Sequence, residues 1–219
     1  MNNLFRLDSP LIVLLNKVAD LLLLNLLWIA GCIPVITAGA STVALYRCVH
    51  LLQTGTGGPI FKEFWFTFRR EFKQSLLLFF IGVVAYGLLT VDFLILTYGS
   101  VQGATIWKIF LVVASFAAVP VVTYLLPLQS YFQNPVKQTV KNAVLLTLLH
   151  YPRSLLAAAI NLLPLLLLIA TPDLLFSGMI LLLCFGRSLP AWLSRRIMQK
   201  VFVRYIPEVE VLESGIDLL

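Results

Sequence analysis

The sequence predicts an all-α membrane protein of about five transmembrane helices with cytoplasmic interfacial amphipathic helices, and three observations carry that prediction. Of 219 residues, 60% are hydrophobic and only 12% charged, where soluble domains carry about 25% charge. Mean hydropathy is +0.95, more apolar surface than one water-facing fold of this size can hide. The apolar residues fall in runs of about twenty rather than alternating every second position, which suits membrane helices and not a barrel. A soluble enzyme is thereby excluded. The net charge of +6 does not indicate a nucleic-acid partner, because Lys and Arg flank apolar runs instead of clustering on a polar module.

A single membrane domain over residues 1–219 is expected. Met1 to Asp20 carries Arg6, Asp8, Lys17 and Asp20 among leucines and reads as an interfacial segment leading into the first span. A signal peptide would place its apolar region at Leu21–Ile36 and its cleavage site at Ala38-Gly39-Ala40, but acidic Asp8 and Asp20 argue against one. Five spans follow: Leu21–Ala38, Ser75–Thr97, Ala104–Pro127, Leu155–Thr171 and Leu174–Leu193, with 194–219 as a cytoplasmic tail. Each approaches the length needed to cross about 30 Å of hydrocarbon. Pro164 kinks the fourth, the shortest.

The connections set the orientation. Arg47, Lys62, Arg69, Arg70 and Lys73 lie between spans one and two, Lys137, Lys141 and Arg153 between three and four, and Arg187, Arg195, Arg196, Lys200 and Arg204 near or after span five. Thirteen of the sixteen basic residues therefore share one side. The positive-inside rule makes that side cytoplasmic, with the carboxyl terminus on it and the amino terminus outside.

Two segments read as surface helices. Ile60–Gln74 places Phe61, Phe64, Trp65, Phe68 and Phe72 on one helical face, while Lys62, Glu63, Arg69, Arg70 and Lys73 avoid it. Such a face either anchors the chain in the headgroup layer or docks a partner. Gln133–His150 carries Lys137, Lys141 and Asn142 beside Val136, Val140, Val144 and Leu148. Each segment precedes a hairpin of two spans through a Ser-Leu-Leu junction, at Ser75 and at Ser154, which suggests a parallel duplication.

No sequence feature points to catalysis, a metal or another cofactor. Cys32, Cys48 and Cys184 form no CxxC pair and read as reduced thiols. The Gly55-Thr56-Gly57-Gly58-Pro59 turn lacks the Lys-Ser/Thr and the strand of a phosphate loop. Ser41 with His50 or His150 as base has nothing to fix its geometry. The better candidates are intramembrane polar residues, which are costly to desolvate: Asp92, Asn161 and Arg187. Asp92 and Arg187 differ in predicted depth by roughly 13 Å, which disfavours direct pairing. Lys108 is the nearer partner for Asp92 across the outer turn, and Arg187 can snorkel to headgroups. Asn161 beside Pro164 can line a polar pathway through a broken helix.

The residues Asn25-Leu26-Leu27-Trp28-Ile29, Pro34, Gly39-Ala40-Ser41-Thr42, Ala44-Leu45-Tyr46, Phe61-Lys62-Glu63-Phe64-Trp65, Phe68 and Phe72-Lys73-Gln74 resemble the YesL-like family of bacterial membrane proteins. Beyond them the similarity rests on hairpin spacing and Leu126-Pro127-Leu128. Members of that family have no assigned function and are commonly encoded beside carbohydrate ABC importers. The resemblance implies an accessory membrane subunit, with the lipid bilayer and permease subunits of an oligosaccharide importer as partners and with no catalytic residues. As architecture, Pro34 and Gly39 break the first span, and Ser41 or Thr42 caps a short helix through Arg47 to Leu52. The alternative is a stand-alone small-solute transporter or channel. An ordinary ABC permease is disfavoured because the Glu-Ala-Ala coupling signature is absent.

Overall fold

The computed structural model describes residues 10–98, 104–132, 134–170 and 183–205, which are helical with short breaks and contain no strand. Seven α-helices recur below: α1 (Pro10–Cys32), α2 (Ala38–Thr54), α3 (Ile60–Tyr98), α4 (Ala104–Tyr131), α5 (Val136–Leu149), α6 (Tyr151–Ala170) and α7 (Ser188–Tyr205). Four stretches are long and apolar enough to cross a membrane, and a fifth arises if α5 and the start of α6, bent by 110°, count as one broken span.

Pro34 breaks the first span as expected, but at Cys32 and not at Ala38, because the proline cannot continue the hydrogen-bond ladder. A 3₁₀ turn, Val35–Thr37, follows. The Thr37 hydroxyl lies 2.6 Å from the Gly31 carbonyl and 2.7 Å from that of Pro34, and so satisfies one of the two at the break. At the other end of α1, residues 1–9 of the expected interfacial segment lie outside the described residues, and residues 10–20 are the start of α1. They continue into the span as one helix, since nothing between Pro10 and Cys32 breaks one.

Helix α2 departs most from expectation. In place of a short helix capped by Ser41 or Thr42, seventeen residues run from Ala38 to Thr54, with Gly39–Tyr46, Cys48 and Val49 buried. Ser41 and Thr42 sit inside it, where Ser41 donates to the Trp28 carbonyl at 2.9 Å and Thr42 accepts from Trp28 Nε1 at 3.1 Å. α2 packs against α1, α3, α4 and α7, and forms the centre of the described fold. Its small residues permit this, because packing within a membrane depends on close backbone approach. A Cβ built on Gly39 would lie 2.6 Å from the Ser75 carbonyl oxygen and 2.8 Å from Phe79 Cβ. Gly39→Ala is therefore expected to push α2 and α3 apart and cost about 1–3 kcal/mol. A thermal unfolding midpoint in mild detergent checks this, and an unchanged midpoint would contradict the contact. Helix α2 ends as its sequence predicts, at Gly55 in the left-handed region (φ 71°), whose N–H bonds the Leu51 carbonyl at 2.9 Å.

The aromatic segment Ile60–Gln74 and the span Ser75–Thr97 are one uninterrupted helix of 39 residues, about 58 Å long and nearly twice the hydrocarbon thickness. Its first glycine is Gly82, and no proline interrupts it, so nothing breaks the ladder at Ser75. The predicted surface helix is thus the first half of α3. The second unit differs from it, since α5 and α6 meet at the 110° bend instead of running straight. The buried face of α5 is Thr139, Ala143, Leu146 and Thr147, while Val144 and Leu148 are exposed.

Helix α4 contains the span Ala104–Pro127 and continues to Tyr131 through Pro120 and Pro127. Pro120 cannot bond the carbonyl of Phe116, and the Tyr151 hydroxyl takes that carbonyl at 3.1 Å. The predicted fourth span, Leu155–Thr171, lies within α6 as far as Ala170, and residue 171 is outside the described residues. Of the fifth, Leu174–Leu193, residues 174–182 fall outside the described residues. The remainder is not one helix, because residues 186–187 turn and α7 starts at Ser188. The tail expected from residue 194 begins as packed helix, with Ser194, Arg195, Met198 and Val201 buried; residues 206–219 lie outside the described set.

Two apolar clusters hold the bundle. Leu24, Leu45, Val49 and Phe64 belong to the one between α1, α2 and α3. Leu78, Tyr124, Leu128 and Met198 belong to the other, which joins α3, α4 and α7.

Candidate functional site

The interior is polar where α1, α2, α6 and α7 converge. The buried Tyr46 hydroxyl of α2 donates to Asn161 Oδ1 of α6 at 2.7 Å and lies 3.4 Å from Ser194 Oγ of α7. Asn161 Nδ2 bonds the Ala157 carbonyl one turn back, at 2.8 Å. Arg187 Nη1 donates to the Asn161 carbonyl at 3.3 Å. That carbonyl is not the one freed by Pro164, which is Ile160's.

Asn25 of α1 ties the chain around Arg187 to the bundle. Its Nδ2 donates to the Leu183 carbonyl at 2.7 Å, and its Oδ1 accepts from the backbone N–H groups of Arg187 and Ser188 at 2.9 and 3.1 Å. The Arg187 carbonyl accepts from Ala191 N–H at 3.1 Å, so Arg187 holds the N-cap position of α7. An arginine side chain offers no acceptor. Asn25 supplies the cap from another helix.

Two further polar clusters lie beside this centre. Arg195, 1% exposed, directs its guanidinium at Gln53 Oε1 and His50 Nδ1 of α2, and at the Tyr131 hydroxyl of α4 at 2.5 Å. Because guanidinium only donates, His50 Nδ1 must accept here and carries no proton. On the α3–α4–α5 side, Glu71 is 5% exposed and holds Arg70 Nε at 3.0 Å and Gln129 Nε2 at 3.0 Å. Thr139 in turn donates to Gln129 Oε1 at 2.8 Å.

Of the three intramembrane polar candidates, the structure brings Asn161 and Arg187 together and leaves Asp92 apart. Asp92 is exposed on the far half of α3 and forms no ion pair with Lys108. The predicted aromatic face divides. Phe64 is buried and Phe68 and Phe72 are half-buried, whereas Phe61 and Trp65 are exposed, together with Phe66. Arg69 stacks over Trp65 at 4.7 Å and Arg70 over Phe66 at 5.3 Å. Phe61, Phe64, Trp65 and Phe68 line an apolar groove of about 400 Å³ with Leu27, Gly31 and Pro34 of the α1 end.

The sequence alone did not mark Tyr46, Glu71, Gln129, Ser194 and Arg195 as interior polar residues, and Asn25 stood out only among the residues that carry the family resemblance. A polar residue inside an apolar run was the available signal for Asn25 and Tyr46; Arg195 and Glu71 were concealed among neighbouring surface charges. Chemically, the arrangement can hold helices together and bind. Ser41 and His50 are nine positions apart on α2, about 13 Å. Among the described residues no three His, Cys, Asp or Glu side chains cluster as metal ligands, and the three cysteines are free thiols.

Fold and interior together define a multi-pass helical membrane protein. Residues 21–93 match a family model described as "Protein of unknown function, DUF624", covering the second half of α1, all of α2 and most of α3. No curated protein and no solved structure matches the chain.

Proposed function

We propose that this chain is an accessory subunit of a bacterial plasma-membrane ABC importer for oligosaccharides, with its carboxyl terminus cytoplasmic. The observation that carries this reading is the outward face of α3, where Phe61, Trp65 and Phe66 stand exposed with Arg69 and Arg70 stacked on them. Clustered aromatics beside arginine are the composition of binding hot spots. They lie in the segment that resembles the YesL-like family, whose frequent neighbours are carbohydrate importers. The reading assigns the chain no catalytic role and makes permease subunits its partners.

The test is co-purification with the permease in mild detergent from cells that express both. Phe61→Ala combined with Trp65→Ala is expected to reduce recovery of the permease about tenfold, as loss of hot-spot residues does. The variant's own unfolding midpoint should stay within about a degree or two, because neither side chain is buried. Undiminished recovery, or sugar uptake and complex assembly unaffected by deleting the gene, would refute the accessory role.

A second reading, a stand-alone small-solute transporter or channel, is favoured by one observation: Asn161 and Arg187 line a cleft between α3, α4 and α6. It requires solute flux into liposomes containing this chain alone, reduced by Asn161→Leu.

A further inference from the structure

The cleft between α3, α4 and α6 has a volume of about 480 Å³, inside the usual range for ligand sites of about 300–1,000 Å³. Its walls are apolar: Gly82 and Val83 of α3 face Val119 and Val122 of α4. Val83 is 50% exposed, so the cleft opens on the outer surface of the α3–α4 hairpin. Gly82 keeps it passable, since a Cβ there would lie 3.0 Å from Val122 Cγ1. Asn161 and Arg187 close the inner end, where Asn161 is held by Tyr46 of the central helix.

Arg187 is the unusual wall residue. Its guanidinium spends one N–H on the Asn161 carbonyl, and its Nε is buried without a hydrogen-bond partner. Among the described residues no carboxylate forms an ion pair with it. A cation in an apolar cleft with unused donors is costly until an anion meets it. Asp92 does not serve, because it lies six residues beyond Tyr86 at the cleft's far end, about 9 Å along α3.

The shape and charge of the cleft select the anion. A cation with an unpartnered, buried donor at the inner end of an apolar slot that opens between α3 and α4 matches an anionic amphiphile, whose charged group meets Arg187 while its chain fills the slot.

We propose that this cleft binds an anionic phospholipid, its headgroup phosphate on Arg187 and one acyl chain between α3 and α4. The full chain, purified in mild detergent, is titrated with phosphatidylglycerol, with phosphatidylcholine of the same acyl chains, and with inorganic phosphate. Binding is read as the rise in unfolding midpoint, and retained lipid is identified by native mass spectrometry. Phosphatidylglycerol is expected to be retained and to raise the midpoint, while the other two are not. Arg187→Gln should weaken its binding about tenfold, the worth of a charge-assisted contact. Val83→Trp keeps the arginine and fills the slot from an exposed position, and should weaken it similarly. Equal stabilisation by phosphatidylcholine, or a response to inorganic phosphate alone, would overturn the proposal. Where Arg187→Gln does not fold, unchanged phosphatidylglycerol binding by Val83→Trp overturns it as well.

Discussion

Arg195→Met is expected to lower the stability of the detergent-solubilised chain by about 3 kcal/mol, near the upper end of what leaving buried polar groups unsatisfied costs. The guanidinium joins α7 to His50 and Gln53 of α2 and to Tyr131 of α4 in a place only 1% exposed. Methionine approximates its volume and removes the cost of burying the charge. It also strips the His50 and Gln53 acceptors of this donor where water does not replace it, and that loss outweighs the gain. For a chain of this size about 3 kcal/mol corresponds to roughly 6–12 °C in midpoint. Arg195→Lys should not restore it, because one ammonium cannot match the fork that serves three partners. A methionine variant melting within two degrees of the parent would show that apolar packing alone docks α7.

Asn25→Leu is the second large effect, and it is local. Leucine nearly matches asparagine in shape but leaves the Leu183 carbonyl and the Arg187 and Ser188 amides without their partner. At about 1–3 kcal/mol for each unsatisfied buried group, less what local rearrangement recovers, the first turn of α7 should open more easily by about 3 kcal/mol. Hydrogen exchange of the Arg187 and Ser188 amides is then expected to accelerate by roughly a hundredfold. Exchange in the middle of α3 should not change. Equal acceleration at both places would mean that Asn25 supports the whole bundle rather than capping one helix.

Much of the architecture was legible along the chain. Runs of apolar residues gave helices in a membrane, Pro34 gave the end of α1, and the glycine turn gave the end of α2. These are local effects: a missing N–H or a left-handed backbone acts within a turn of its own position. The hidden part concerns which helices face lipid and which face protein. Ala38–Thr54 carries Arg47 and His50 and looked like a connector, yet it is the most enclosed helix, because Gly39, Ala40, Ser41 and Ala44 let its neighbours approach closely. Hydropathy could not reveal this, since lipid tails and a packed protein interior are equally apolar.

The candidate site divides along the same line. Asn161 and Arg187 stood out singly, as polar residues in apolar runs. Their distance from one another depended on where residues 183–187 turn, and that depends on Asn25, some 160 positions earlier. The straightness of α3 likewise separated Asp92 from both, by carrying it to the far half of a 39-residue helix.

By itself, then, the sequence determined a helical protein of the membrane, with its basic residues gathered at the connections and its helices ended by proline and glycine. Transfer free energy and backbone sterics are properties of short segments, so composition suffices to read them. Only the tertiary structure decided that α2 is the core, that Arg195 and Glu71 are interior, and that Asn161 and Arg187 share one cleft. Each of these follows from contacts between distant segments, set by side-chain packing and hydrogen-bond geometry that no local pattern encodes.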